Sequence, residues 1–129
     1  MIIDTSAILA ILFAEPEADH FSATILAAEA PRMSVASYLE ASLRLAVLDV
    51  PALEAQFDAL LEQLGVILEP VTVAQGHAAR EAVARFGKGR HPAGLNYGDC
   101  FSYALAKTTG ARLLFNGDDF TRTGILAAT

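Results

Sequence analysis

Cysteine is nearly absent from this 129-residue chain, tryptophan is wholly absent, and basic residues are few. The single cysteine, Cys100, excludes an internal disulfide framework and cannot build a thiolate zinc cage alone; a reducing cytoplasm fits that count. Nine lysines and arginines against fifteen acids leave a net charge of −6, which argues against a protein that coats nucleic acid with a basic surface. An enzyme that cuts nucleic acid at an acidic metal site stays open, because a bound cation reverses the local sign. No apolar run reaches the length of a membrane span. No basic segment precedes AILAILFA and Asp4 interrupts the apolar start, so an export signal is not expected either. Three dispersed histidines without G-x-S-x-G offer no serine-hydrolase triad, and neither a P-loop nor G-x-G-x-x-G occurs.

Apolar residues, by contrast, make up 53% of the chain, enough for one globular domain over 1–129 with a real core. MIID (1–4), RMSV (32–35), VILEPV (66–71) and ARLLF (111–115) read as short strands. Between them, helices are expected over about 6–13, from Pro16 to about 29, over 36–48, from Pro51 to Gly65, over 74–86 and from Gly98 to Thr109. GKGRHPAG is a loop by its glycines and proline. Strands alternating with helices imply an α/β fold whose parallel sheet is covered on both faces, with ligands bound beyond the carboxyl ends of the strands.

Four acidic positions gather at those ends. Asp4 follows the first strand, where it is equally readable as a helix cap or as a ligand. Ala36, Leu39, Leu43, Ala46 and Val47 make an apolar stripe taken to face the core, with Glu40 at its edge and Arg44 one turn on as an ordinary ion-pair partner. Asp99 stands in the first turn of the last helix, whose inner side is expected to be Phe101, Ala104, Leu105 and Thr108, with Asp99 and Ser102 turned elsewhere. Asp118 and Asp119 follow the last strand. Crowded carboxylates repel and rise in pKa unless a cation neutralises them. An oxygen-rich set without thiols suits Mg²⁺ or Mn²⁺, and the matching chemistry is hydrolysis of a phosphodiester.

MIIDTSAI, the Glu40 of SYLEA, NYGDCFSYALA and LLFNGDDF follow, in order, the acidic motifs of PIN-domain proteins. The chain resembles most closely the VapC ribonuclease toxins of bacterial type II toxin–antitoxin systems, and GKGRHPAGLNYGDCFSYALAK is similar to a mycobacterial subgroup of them. The resemblance covers essentially the whole chain. It implies a three-layer α/β/α sandwich with a central parallel sheet of four to five strands, and a Mg²⁺- or Mn²⁺-dependent endoribonuclease acting on tRNA or rRNA in the cytoplasm. Asp4, Glu40 and Asp99 match the family's acidic site, in catalysis and metal binding alike. Asp119 is taken as the fourth acid with Asp118 as the alternative, since many relatives carry that acid where Gly117 stands here. Gly124 in TRTGI replaces an acid common in the subgroup, which would weaken the metal site if that acid supports it. A cognate antitoxin and a homodimer are the implied partners.

Lys88 and Arg90, near Arg85 and His91, are candidate phosphate contacts, and Ser6 and Asn96 candidate substrate contacts beside the acids. Two other functions compete. One is a PIN-like module with a weak site that binds RNA or protein without cutting. The other is an aspartyl-phosphate domain, disfavoured because Thr5-Ser6 rather than a second acid follows Asp4.

Overall fold

The computed structural model describes residues 1–129. Four short strands, β1 (Ile2–Ile3), β2 (Arg32–Ser34), β3 (Ile67–Glu69) and β4 (Leu113–Leu114), form one sheet. Six helices connect them: α1 (Thr5–Leu12), α2 (Ala18–Leu26), α3 (Val35–Val47), α4 (Pro51–Gln63), α5 (Val73–Phe86) and α6 (Tyr97–Thr109). All strand pairs are parallel, in the order β3-β2-β1-β4. The chain steps outward from β1 to β2 and β3, then returns to the far side of β1 to lay down β4. Winding therefore reverses between β1 and β4, and a crevice opens there beyond the strand ends. Asp4 and the 116–119 turn sit at that reversal, tied by Asp4 N–H donating to Leu114 O at 2.9 Å.

Neighbouring strand residues serve two cores, because successive side chains point to opposite faces. Ile3 and Leu114 pack with Met33 of β2 and with Ile8, Ile25, Leu45 and Phe57 from α1 to α4. Ile2 and Leu113 face the other way, into Phe86, Tyr103, Leu105 and Phe120. This makes the α/β/α sandwich. Each of these four strand side chains is fully buried and contributes about 1.5–3 kcal/mol, so the point where Asp4 leaves the sheet is rigidly fixed. The helix ends follow local chemistry: Pro51 opens α4, Thr72 caps α5 by accepting from Gln75 N–H, and Gly110 at φ 68° closes α6 in the left-handed conformation.

Several expectations need correction. α2 begins at Ala18, after the turn that holds Pro16, and ends at Leu26. The 66–71 strand is shorter than expected, Ile67–Glu69, and lies at the edge of the sheet with Ile67 and Leu68 exposed. The apolar stripe of α3 points outward: Leu39, Leu43 and Val47 are exposed, while Ser37, Ala41 and Leu45 are buried. On α6, Asp99 and Ser102 lie on the inner side and Thr108 on the outer. Both reversals have one cause. α3 and α6 approach each other through small polar residues, with the Ser37 and Ser102 hydroxyls 3.1 Å apart, and periodicity alone cannot tell which face the rest of the chain will cover. Beyond the four strands, Ala127 pairs in parallel with Leu113, so the last residues extend the sheet past β4.

Candidate active site

Asp4 is buried at the end of β1 and caps α1. Its Oδ2 accepts from Ser6 N–H at 2.9 Å and from Ser6 Oγ at 2.6 Å, and its Oδ1 accepts from Ser102 Oγ at 2.5 Å. Because the one proton of Ser102 goes to Asp4, Ser37 Oγ is the donor in the Ser37–Ser102 contact. The cap and ligand readings of Asp4 are thus compatible. Three donors fix the carboxylate, and one of its roughly four lone-pair positions stays open.

Asp99 completes a capping box at the start of α6: its N–H donates to Asn96 Oδ1, and its Oδ2 accepts from Asn96 N–H, both at 2.9 Å. Its Oδ1 has no protein donor. Burial raises the Asp99 carboxyl to about 6, opposed by the Asn96 N–H and reinforced by the negative charges of Asp4, Asp119 and Glu40. The charges of the other three acids therefore act on Asp99. Glu40, half-buried on α3, accepts from Arg44 at 2.7 Å on Oε1, while its Oε2 lies 3.3 Å from Thr5 Oγ1, whose one proton is shared with the nearer Ser37 carbonyl at 3.1 Å. The expected ion pair with Arg44 forms, and it leaves the other oxygen facing the residue beside Asp4.

Asp119 is exposed in the turn after β4, beside Asp118, whose carbonyl accepts from Thr121 N–H and Oγ1 at 3.1 and 2.7 Å. The carboxylates do not close into a cage: no three acidic, histidine or cysteine side chains are grouped closely enough to hold an ion unaided. Mg²⁺ commonly takes one or two carboxylates and keeps several waters, so a hard, oxygen-only set with a free Asp99 Oδ1 fits it.

Residues 1–126 match the model of the PIN domain. The chain belongs to the PIN-domain family. Ribonuclease VapC30 of Mycobacterium tuberculosis (strain H37Rv) is 48% identical over 133 residues, covering 97% of this chain and 95% of that protein. Ribonuclease VapC of Mycolicibacterium smegmatis is 46% identical over 127 residues, covering 98% of each. These relatives place this PIN domain on the VapC branch. The crystal structure of Mycobacterium tuberculosis VapC20, described as a sarcin-ricin loop cleaving toxin, superposes with a TM-score of 0.75. It is 18% identical, covers 97% of this chain and 95% of its own, and shares the fold.

Within this PIN domain the remaining candidates divide. Ser6 lies beside Asp4 and also accepts from Asn116 N–H at 3.0 Å, joining the β1 and β4 ends. Asn96, expected to meet substrate, has its side-chain oxygen committed to the cap. Lys88 and Arg90 are exposed on the loop between α5 and α6, pinned at its base by Lys88 N–H donating to Leu95 O. Cys100 is buried, and burial followed by the Asp99 charge pushes its thiol up to about 11, so it is no nucleophile. The sequence reading missed Ser102 and Thr5. Ser102 carried a signal: it lies three residues after Asp99 on one helix, hence on the same face.

Proposed function

We propose that this PIN domain is a cytoplasmic VapC-type toxin, an endoribonuclease that hydrolyses phosphodiester bonds in tRNA or rRNA and is neutralised by an antitoxin. The observation that carries this reading is the convergence of Asp4, Glu40, Asp99 and Asp119, from four separate elements, on the crevice between β1 and β4. The names of the VapC relatives support the ribonuclease activity. Mg²⁺ or Mn²⁺ would be held among Asp99, Asp4, Asp119 and Glu40, with one or two of them as direct ligands and water for the rest. Bound there, the ion supplies charge neutralisation for the phosphodiester and a water acidic enough to attack it. Ser6, Ser37 and Ser102 keep the Asp4 oxygens in place, and the capping box does the same for Asp99.

Two clefts adjoin the acids and suit a polymeric substrate. One of about 480 Å³ is bordered by Ser6, Phe13, Arg44 and Asn116; another of about 410 Å³ by Pro92, Asp119 and Arg122. Each sets a cation beside the acids, where an acidic protein needs help with phosphates. No helix is long and apolar enough to cross a membrane. The exposed Leu39, Leu43 and Val47 stripe offers an apolar surface to a protein partner, the antitoxin or a second subunit.

Purified protein is expected to cleave structured RNA with Mg²⁺ or Mn²⁺, to stop when EDTA is added, and to recover when metal is restored. Equal cleavage in EDTA would sink the metal-dependent mechanism. The Lys88→Ala/Arg90→Ala variant is expected to raise KM several-fold at unchanged kcat, and to flatten the salt dependence of RNA binding by about one to two units of log–log slope. An unaltered slope would make that loop a bystander.

A further inference from the structure

The first turns of α6 touch the three buried or half-buried acids of the site. Asp99 is one of them, Ser102 donates to Asp4, and Gly98 faces Glu40. Glycine is among the poorest residues inside a helix, and Gly98 lacks the positive φ that would demand it. Its surroundings do. A Cβ built on Gly98 would overlap the Glu40 carboxylate, with Cδ at 2.5 Å, Oε1 at 2.8 Å and Oε2 nearer still. The other glycine inside a helix, Gly76 on α5, has open space at the same position.

Glu40 therefore lies against the bare Cα of Gly98, with Arg44 on one oxygen and, on the other, only a share of the Thr5 hydroxyl, which also serves the Ser37 carbonyl. The Arg44 pair alone would hold it loosely, since Arg44 is half exposed and such surface pairs are weak. Contact with Gly98 removes the remaining freedom. A side chain at 98 would push away the end of a flexible glutamate, which the fold tolerates and the site does not.

We propose that Gly98 is a positioning residue: its missing side chain is the seat of the Glu40 carboxylate. This rests on the role given to Glu40 in the proposed ribonuclease. Gly98→Ala is expected to lower kcat for RNA cleavage about 10–100-fold, with KM for RNA changed less than about twofold. In an Glu40→Ala background the same change is expected to cost no further activity, because its effect passes through that carboxylate. There it should instead raise Tm by about 3–5 °C, the ordinary gain of alanine over glycine in a helix. Gly76→Ala is the control, with the same rise in Tm and wild-type cleavage. The proposal is overturned if Gly98→Ala cleaves at the wild-type rate, or slows the Glu40→Ala variant by the same factor as the wild type. The Tm comparison needs no activity. A rise from Gly98→Ala in the Glu40→Ala background but not in the wild type supports the contact even if RNA is not the substrate. Equal rises in both overturn it.

Discussion

Asp99→Asn is expected to yield a metal-free protein that is more stable than the wild type and that no longer cleaves RNA. The two effects share an origin. Asp99 is 7% exposed, its carboxyl stands at about 6, and its neighbours Asp4, Asp119 and Glu40 are also acids. In the unfolded chain the same carboxyl titrates near its ordinary value of 3.8. The folded state thus holds the proton more tightly, and ionising Asp99 works against folding. That penalty is complete above about pH 6 and is relieved as the pH falls towards 4.

The metal-free wild type should therefore gain about 1.4 kcal/mol between pH 7.5 and pH 5 from this residue. Asp99→Asn should hold most of that gain at every pH, keeping the Asn96 N–H bond through its amide oxygen. Activity should fall at least about 100-fold, because a ligand is lost rather than a neighbour of one. Thermal melts from pH 5 to 8 in EDTA, with and without the substitution, measure the first effect. A wild-type Tm that does not fall across that range would refute the assignment of a strained Asp99. With metal present the trend should reverse, since protons then compete with the ion.

Asp4→Ala should fail in the opposite manner, losing stability as well as activity. Asp4 accepts three hydrogen bonds and caps α1, and its removal leaves the fully buried Ser37–Ser102 pair with two hydroxyl protons and one acceptor fewer. Loss of a cap costs about 1 kcal/mol, and an unpaired buried hydroxyl about 1–3 kcal/mol. Together they predict a loss of about 2–4 kcal/mol in urea unfolding, with m unchanged. A change below about 0.5 kcal/mol would mean that the Ser102–Asp4 bond is not formed in solution. The two aspartates thus occupy one site under different terms: Asp4 supports the fold, and the fold tolerates Asp99.

The elements were largely legible from residue order. Alternating short apolar runs and helical periods located all four strands and six helices, because Pro51, Gly110 and the strand residues act locally. Candidate acids were legible too, since each stands directly after a strand or near a helix start. Their neighbours were less so. Ser102 and Gly98 owe their importance to Asp4 and Glu40, which are 98 and 58 positions away in the chain; helical spacing puts Ser102 on the Asp99 face but names no partner for it, and nothing local marks Gly98. Orientation failed for a related reason. The Leu39, Leu43 and Val47 stripe has a core-like period, yet α3 lays Ser37 against α6, turns Ala41 and Leu45 into the core of α1 to α4, and leaves the leucines outside.

Composition and order therefore settled an acidic α/β protein with carboxylates at the strand ends, because strand length, helix punctuation and charge are properties of neighbouring residues. Distances were settled by folding. The reversal between β1 and β4 brings Asp4 to the 116–119 turn, and the close α3–α6 approach sets Glu40 against Gly98 and Ser37 against Ser102. Burial in that junction raises the Asp99 carboxyl to about 6, a value no stretch of sequence contains, because it depends on being covered by the fold and on charges brought from three other places in the chain.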